Sequence, residues 1–378
     1  MQKSRSLKII IINLFIIVFI FLIIELSSRF YLMLEDEGNL VDNFVLSKPE
    51  AFSSIPQIEF EKIKENYNGI CKPPYIMKSN EFFEFKKPNW SCGGQTVRNN
   101  FRVNLFHKKT NNKKIFILGG STVWGVGSVD ETTIPSYLQI LLNENSINYN
   151  VYNKGFTSIS IKQQLDLLKT LNLNDQDIVI FYDGGNDIYL SSIYGVPYKS
   201  INEYNNENQT GIFIQDIRYF LSKNLAFYTI LSKLKNRNKT FNKDECISNK
   251  KDLFKNIDEG SNYYLTKINE ANKYVNLKNG IFLHFFQPTL GSIQVPTDYE
   301  KYLINFNNNY CVVQKLKYAH GIYQDKYNKS ESRYLNDLSN DFNSKNLFYD
   351  WIHTSGEGNL LIANHIYNSL IKFLDYNS

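Results

Sequence analysis

Apolar and polar residues change their period along this chain at about residue 114. Residues 114–118 (Lys-Ile-Phe-Ile-Leu) form a short apolar run stopped by Gly119-Gly120, the pattern of a buried strand ending in a tight turn. Over residues 133–143 the period becomes helical. Ile134, Leu138, Leu141 and Leu142 share a face, Thr133 is placed to cap, and Pro135 suits the first turn. Residues 149–153 predict a second short strand, and 159–171 a second helix with Ile161, Leu165, Leu168 and Leu171 on one side. Residues 177–182 and 280–286 predict a third and a fourth strand, 347–349 a fifth, and 356–374 a closing helix. Strands alternating with helices predict an α/β fold, a three-layer α/β/α sandwich with a mostly parallel, roughly five-stranded sheet. Ligands of such sheets sit at the carboxyl ends of the strands.

Outside this pattern the chain reads differently. Residues 9–24 hold one polar side chain, Asn13, and residues 7–26 give about the twenty apolar positions that a bilayer core requires. Lys3, Arg5 and Lys8 lie on one side of the run, and Glu35, Asp36 and Glu37 follow it. This predicts an anchor within residues 1–34: a single-pass transmembrane helix with a cytoplasmic N-terminus and an extracytoplasmic remainder, periplasmic or at the cell surface. No small-x-small cleavage site follows the run, which disfavours a removed signal peptide. Residues 35–113, interrupted by prolines, read as a stalk and a small subdomain with a helix at 59–67 and a strand at 81–85. Within residues 114–378 two insertions are expected, near 190–260 and 297–342. Between the third and fourth strands lie a Tyr- and Asn-rich stretch, 189–209, that is a candidate lid or substrate-side loop, a helix at 212–235, and a helix at 261–277 that returns the chain to the sheet.

Composition narrows the function classes. Of 378 residues, 42 are basic and 37 acidic, and a net charge of +5 without clustering gives no footprint for nucleic acid. The cysteines, Cys71, Cys92, Cys246 and Cys311, form no Cys-x-x-Cys pair, so a zinc ribbon or dithiol redox site has no support. In an exported chain they allow two disulfides, and Cys71 with Cys92 and Cys246 with Cys311 is the preferred pairing among three connectivities, against the alternative of reduced cysteines.

The candidate chemistry lies after the strands: Gly119-Gly120-Ser121, Asn153-Lys154-Gly155, Asp183-Gly184-Gly185-Asn186-Asp187, and Asp350-Trp351-Ile352-His353 before the last helix. In a parallel sheet all of these end on one edge. A serine hydroxyl needs a base, which His353 supplies, and the imidazole needs an acceptor, which Asp350 supplies from three residues earlier. The N–H groups of Ser121 and Gly155 and the Asn186 amide suit an oxyanion. Thr354-Ser-Gly-Glu357 reads as a capping box fixing the Asp-x-x-His turn. Asp187 reads as a brace for the Asn186 loop. Trp124 and Tyr182 suit a pocket wall or the core equally. His107, His284, His320 and His365 read as surface or packing residues, and His353 with Glu357 lacks a third metal ligand.

This set resembles the SGNH hydrolase family, also called the GDSL esterase/lipase family. Its nucleophilic Ser, oxyanion Gly, oxyanion Asn, base His and triad acid match Ser121, Gly155, Asn186, His353 and Asp350. Gly120 stands where the family name has Asp. The resemblance covers residues 114–187 and 279–378. It implies an anchored serine esterase without cofactor or metal, acting on O-acyl esters and, on the guess that best suits the composition, on O-acetyl groups of an extracytoplasmic glycan. The rival readings are an O-acyltransferase using the same triad, a lipase or thioesterase, and a non-catalytic anchored glycan-binding protein.

Overall fold

The computed structural model describes residues 12–29 except 14 and 17, 50–67, 71, 89–108, 113–195, 227, 230, 246, 250–305, 309–330, 332–343 and 345–377. The chain divides into two compact units: Met1–Asn43 with Glu203–Glu245, and Phe44–Asn202 with Cys246–Ser378. In the first, the described residues between 12 and 29 are helical, and side chains such as Ile12, Phe15, Phe19 and Leu26 are exposed. Glu25 accepts from the Arg29 Nε at 2.9 Å and from the Phe227 N–H at 3.2 Å. Among the described residues no helix is long and apolar enough to cross a membrane. The expected transmembrane helix is therefore not borne out: part of the run, residues 7–11, 14 and 17, lies outside the described residues.

The second unit is built on a parallel five-stranded sheet: β4 (Lys114–Gly119), β5 (Asn150–Gly155), β6 (Ile178–Asp183), β7 (Ile281–Phe286) and β8 (Leu335–Asp337), in the spatial order β5-β4-β6-β7-β8. Val179, Ile180, Phe181 and Tyr182 of β6 are fully enclosed, which is why the inner strands read as unbroken apolar runs. One face carries Phe116, Leu118, Val179, Phe181, Phe282 and Phe286 against α4 (Ile161–Thr170), α6 (Lys250–Asn276) and α8 (Asn309–Lys329). Elsewhere α3 (Ile134–Glu144) packs along β5 and against α9 (Gly356–Asn377). From β4 the chain passes through α3 to β5 on one side, then back through α4 to β6 on the other. This is a topological switch point, where a crevice opens at the strand ends.

Local signals explain these elements. Thr133 caps α3, its side chain accepting the Ser136 N–H, with Pro135 in the first turn. Ser160 and Gln163 form a capping box at the start of α4. The fifth strand is not residues 347–349. It is β8, three half-buried residues beside β7, and its Leu-Asn-Asp sequence has no apolar run because it lies at an edge. Leu347, Phe348 and Tyr349 are buried for another reason: Phe348 bridges Thr354 and closes the loop that carries Asp350 and His353. The insertion at 297–342 holds α7 (Asp298–Asn305), α8 and β8. α6 contains the helix expected at 261–277 and begins earlier.

N-terminal to the sheet, α1 (Gln57–Tyr67) and the three-stranded antiparallel sheet β1 (Trp90–Cys92), β2 (Gln95–Arg98) and β3 (Phe101–Arg102) belong to the same unit. A small core of Ala51, Phe52, Phe60, Ile63, Val129 and Tyr349 joins α1 to the turn before α9. Both expected disulfides are formed, Cys71–Cys92 and Cys246–Cys311. The strand expected at 81–85, nearly all of the helix at 212–235, and the candidate lid beyond residue 195 lie outside the described residues.

One buried group on α8 ties stability to pH. His320 is enclosed, its Nε2 2.7 Å from the Ser339 Oγ and its ring 4.9 Å from that of Phe286. Burial outweighs the nearby Asp337 and pushes its pKa down to about 4 from 6.5. Below pH 6.5 the unfolded chain takes up a proton that the folded protein refuses, so stability falls from there to about pH 4 and levels off below. The expected loss is about 3 kcal/mol at ~1.4 kcal/mol per unit. Urea unfolding at pH 7 and pH 4 checks this: His320→Gln loses less stability between the two than the parent. Equal losses would mean that His320 does not carry the effect.

Candidate active site

The sharp end of β4 sets the site. α2 (Ser121–Trp124) begins directly after Gly120, so Ser121 occupies the first helical position, where the N–H has no partner within the helix. A Cβ on Gly120 would lie 2.8 Å from the Asn186 Nδ2, so glycine at this position keeps the Asn186 amide close to the serine turn. An aspartate there would displace it.

His353 lies between two partners. Its Nε2 is 2.7 Å from the Ser121 Oγ, and its Nδ1 is 2.6 Å from the Asp350 Oδ2. The other Asp350 oxygen accepts the N–H groups of Ile352 at 2.8 Å and His353 at 2.7 Å. The carboxylate thus holds its own turn closed while receiving the ring. Burial works against the charge on Asp350, but His353 and those two backbone donors outweigh it and hold the carboxyl below the usual carboxylate range. An ionised carboxylate only accepts, so Nδ1 carries the proton and the Nε2 lone pair faces the serine hydroxyl. The Tyr349 ring stacks on the imidazole at 5.8 Å.

The turn is fixed differently from the sequence expectation. α9 begins at Gly356, so Ser355 precedes the helix, and Glu357 is exposed rather than capping. Asn359 takes over. Thr354 donates to its Oδ1 at 2.9 Å, and its Nδ2 donates to the Ser128 Oγ at 2.8 Å and the Thr132 carbonyl at 2.9 Å. No motif in the sequence singles out Asn359, because its partners are far away along the chain.

Asn186 lies in α5 (Gly185–Tyr189), with its Nδ2 donating to the Ile159 carbonyl at 2.8 Å. One amide hydrogen is held there, which aims the second. Asp187 braces this corner as expected, accepting the Ile161 N–H on both oxygens at 3.2 Å. Burial first, then the charge of Asp183, raise its pKa well above the ordinary value against that bond.

Gly155 is placed otherwise than expected. Its N–H donates to the Asn153 Oδ1 at 2.9 Å, so it is committed within its own strand. A Cβ there would meet the Trp124 N at 2.3 Å, so the residue is glycine to let β5 pack on the backbone of α2. The loop after it rejoins the sheet when the Phe156 N–H donates to the Gly119 carbonyl at 3.0 Å. It then reaches Ser158, an exposed residue in the left-handed region at φ 62°. No motif in the sequence marks Ser158, because a serine at positive φ leaves no compositional trace.

Tyr189 and Trp351 come from the loops that carry Asn186 and His353, and their rings stack at 4.8 Å. Tyr194 stands edge-on to Tyr189 at 5.6 Å and is 52% exposed. Trp124 and Tyr182 are enclosed and belong to the core. His284 is fully buried, with Nε2 3.0 Å from the Asp183 Oδ1 and Nδ1 2.7 Å from the Tyr327 Oη. His107 approaches the Val151 carbonyl at 2.7 Å and His365 pairs with Asp341 at 3.5 Å, so neither enters the site.

Several solved structures resemble this chain. An acetyl xylan esterase, AlAXEase, is 13% identical, covers 68% of this chain and 98% of its own, and superposes with a TM-score of 0.38. Axe2, an acetylxylan esterase from Geobacillus stearothermophilus, is 12% identical over 70% of this chain and 96% of its own, with a TM-score of 0.35. The psychrotrophic esterase EstA from Pseudoalteromonas sp. is 13% identical over 70% and 100%, with a TM-score of 0.33. No curated protein matches the chain. The model of the GDSL-like Lipase/Acylhydrolase family matches residues 115–366. That span runs from β4 into α9 and holds the serine turn, the Asn186 loop and the Asp350–His353 turn. The chain therefore belongs to the GDSL-like lipase/acylhydrolase family and is a serine hydrolase acting on ester bonds.

Proposed function

We propose that this hydrolase removes O-acyl groups, acetyl above all, from an extracytoplasmic glycan, with Ser121, His353 and Asp350 as its triad. The observation that carries the triad is the unbroken line from the Ser121 Oγ through both ring nitrogens of His353 to the Asp350 Oδ2. Ser121 attacks the acyl carbonyl while the His353 Nε2 takes its proton. The tetrahedral oxyanion is held by the Ser121 N–H and the free hydrogen of the Asn186 amide. Gly155 was the expected third donor, but its N–H is committed. The Ser158 N–H, two residues past the Phe156–Gly119 bond and without a hydrogen bond among the described residues, is the better candidate. His353 then gives its proton to the leaving alcohol, and water, activated by the same ring, releases the acid.

A glycan is favoured over a lipid by the rim. The stacked Tyr189–Trp351 pair and the exposed Tyr194 offer flat rings on the segments that carry Asn186 and His353, which suits sugar rings. Membrane attachment is supported by the apolar N-terminal run and by the exposed apolar side chains of its described residues, which need a cover other than water.

One experiment tests triad and location together. Cells expressing the full chain are fractionated and treated with an organophosphonate probe, and the Ser121 peptide is examined by mass spectrometry. A covalent adduct on Ser121 in the membrane fraction is expected. Absence of the adduct would sink the triad, and an adduct confined to the soluble fraction would sink the anchor.

A further inference from the structure

Away from the triad, a cavity of about 280 Å³ opens beside the edge strand β5, walled on its other side by β2, β3 and the residues after them. Its lining includes Arg98, Phe101, His107, Tyr152 and Lys154, and no carboxylate. The Lys154 ammonium lies 3.6 Å from the centre of the Phe101 ring and is half-buried. Among the described residues it has no hydrogen bond and no anionic partner. Several neighbouring donors are engaged. The buried Arg102 serves Asp130 and three backbone carbonyls, and the Asn104 amide serves the carbonyls of Pro135 and Val151. The Arg98 Nη1 serves the carbonyls of Trp90 and Val97.

Folding has thus placed an ammonium partly out of water, near a second cation, with only an aromatic face in return. Burial first, then Lys114, push its pKa down to about 8. A buried charge without a partner costs free energy, and a site that carries such a cost without structural return is a candidate for a ligand that supplies the missing charge.

We propose that this cavity binds a small organic carboxylate, with Lys154 as its counter-ion and the Tyr152 and His107 rings against its carbon body. The volume lies just below the range of small-molecule sites, roughly 300–1,000 Å³, and admits a ligand no larger than a monosaccharide. Two sources share this chemistry: a uronic acid unit of an acidic glycan, or the free acid released by ester hydrolysis. The second source rests on the proposed function; the site itself does not.

Calorimetric titration of the full chain at pH 7 with sodium glucuronate, sodium acetate and glucose tests it. Saturable binding of glucuronate, acetate or both is expected, with none of glucose. Lys154→Gln should weaken binding at least about tenfold, the scale of one charge-assisted hydrogen bond. Lys154→Arg should retain it, and Ser121→Ala should bind as the parent does, which separates this site from the triad whether or not the proposed function holds. Arg98, Arg102, His107, Lys114 and Tyr152 are the other titratable groups around Lys154. If Lys154→Gln does not fold, the parent titrated from pH 7 to pH 10 serves, with affinity falling as Lys154 gives up its proton. No saturable carboxylate binding, or binding that neither Lys154→Gln nor rising pH weakens, would overturn the proposal.

Discussion

Ser121→Ala is expected to lower kcat on an aryl acetate by about five to six orders of magnitude, the scale on which removal of a triad nucleophile acts. The residue above the uncatalysed rate, roughly a thousandfold, belongs to the oxyanion donors and to substrate positioning. The effect is large because Ser121 is not one contact among many. In the proposed mechanism it forms the bond that divides the reaction into acylation and deacylation, and the His353 Nε2 at 2.7 Å has no other described hydroxyl to activate. Asp350→Asn should cost about four orders of magnitude. The amide can still accept the Ile352 and His353 N–H groups on one side, so the turn survives, but its NH₂ facing Nδ1 turns the ring to the wrong tautomer. Steady-state kinetics on the purified variants, with circular dichroism to show that both are folded, measures this. A Ser121→Ala protein that turns over as the parent does would remove the triad altogether.

The legible part of this protein was what short-range physics dictates. β4, β6 and β7 were readable because strands buried on both faces must be apolar throughout, and α3 because Thr133 and Pro135 announce its start. Ser121, His353, Asp350 and Asn186 were readable because each stands next to a strand end or turn that its neighbours in sequence specify. Reading failed where a position is defined by something remote. β8 has no apolar signature because an edge strand needs only its ladder and the Tyr327 Oη, which accepts the Asn336 N–H at 2.9 Å. Leu347–Tyr349 carries a strand-like pattern because its side chains fill a core that also takes Phe52 and Phe342. Gly155 looked like an oxyanion donor because its lack of a side chain is visible in the sequence, while the Asn153 side chain that claims its N–H is not. The even cysteine count allowed two disulfides but left three connectivities open, and the structure forms the preferred pair, Cys71–Cys92 and Cys246–Cys311.

The largest loss of stability is expected at Arg102, a residue that no motif singled out. It enters from β3 and is 2% exposed. Its Nε donates to the Asp130 Oδ1 at 2.7 Å, its Nη1 to the Gly125 carbonyl at 2.6 Å and the Trp124 carbonyl at 3.2 Å, and its Nη2 to the Ser128 carbonyl at 2.6 Å. Two of these acceptors lie at the carboxyl end of α2, the helix whose other end presents Ser121. A cation there both satisfies the terminal carbonyls and complements the negative end of the peptide dipoles. Burial lowers the pKa of Arg102 against the pull of Asp130, and burial raises that of Asp130 against the pull of Arg102. Desolvation thus dominates both partners, so the pair is a specifier of position more than a net source of stability. Removing one member is a different matter, because it strands the other charge and takes the guanidinium from the Trp124 and Gly125 carbonyls, which keep only the longer bonds from the Asn153 amide at 3.5 Å and the Ser128 N–H at 3.1 Å among those described. Arg102→Met is expected to lose about 3–5 kcal/mol in urea unfolding. It should also lose about a hundredfold in kcat where it remains folded, since a shift of about 1 Å in Ser121 suffices for that. Asp130→Leu should cost a similar amount of stability. The double variant should lose clearly less than the sum of the two, because neither charge is then stranded, while its kcat stays low because α2 remains untied. An Arg102→Met protein within about 0.5 kcal/mol of the parent would show that α2 is held by β4 and β5 alone, as only a surface substitution should behave. A double variant with parental kcat would show that the small N-terminal sheet does not position the nucleophile.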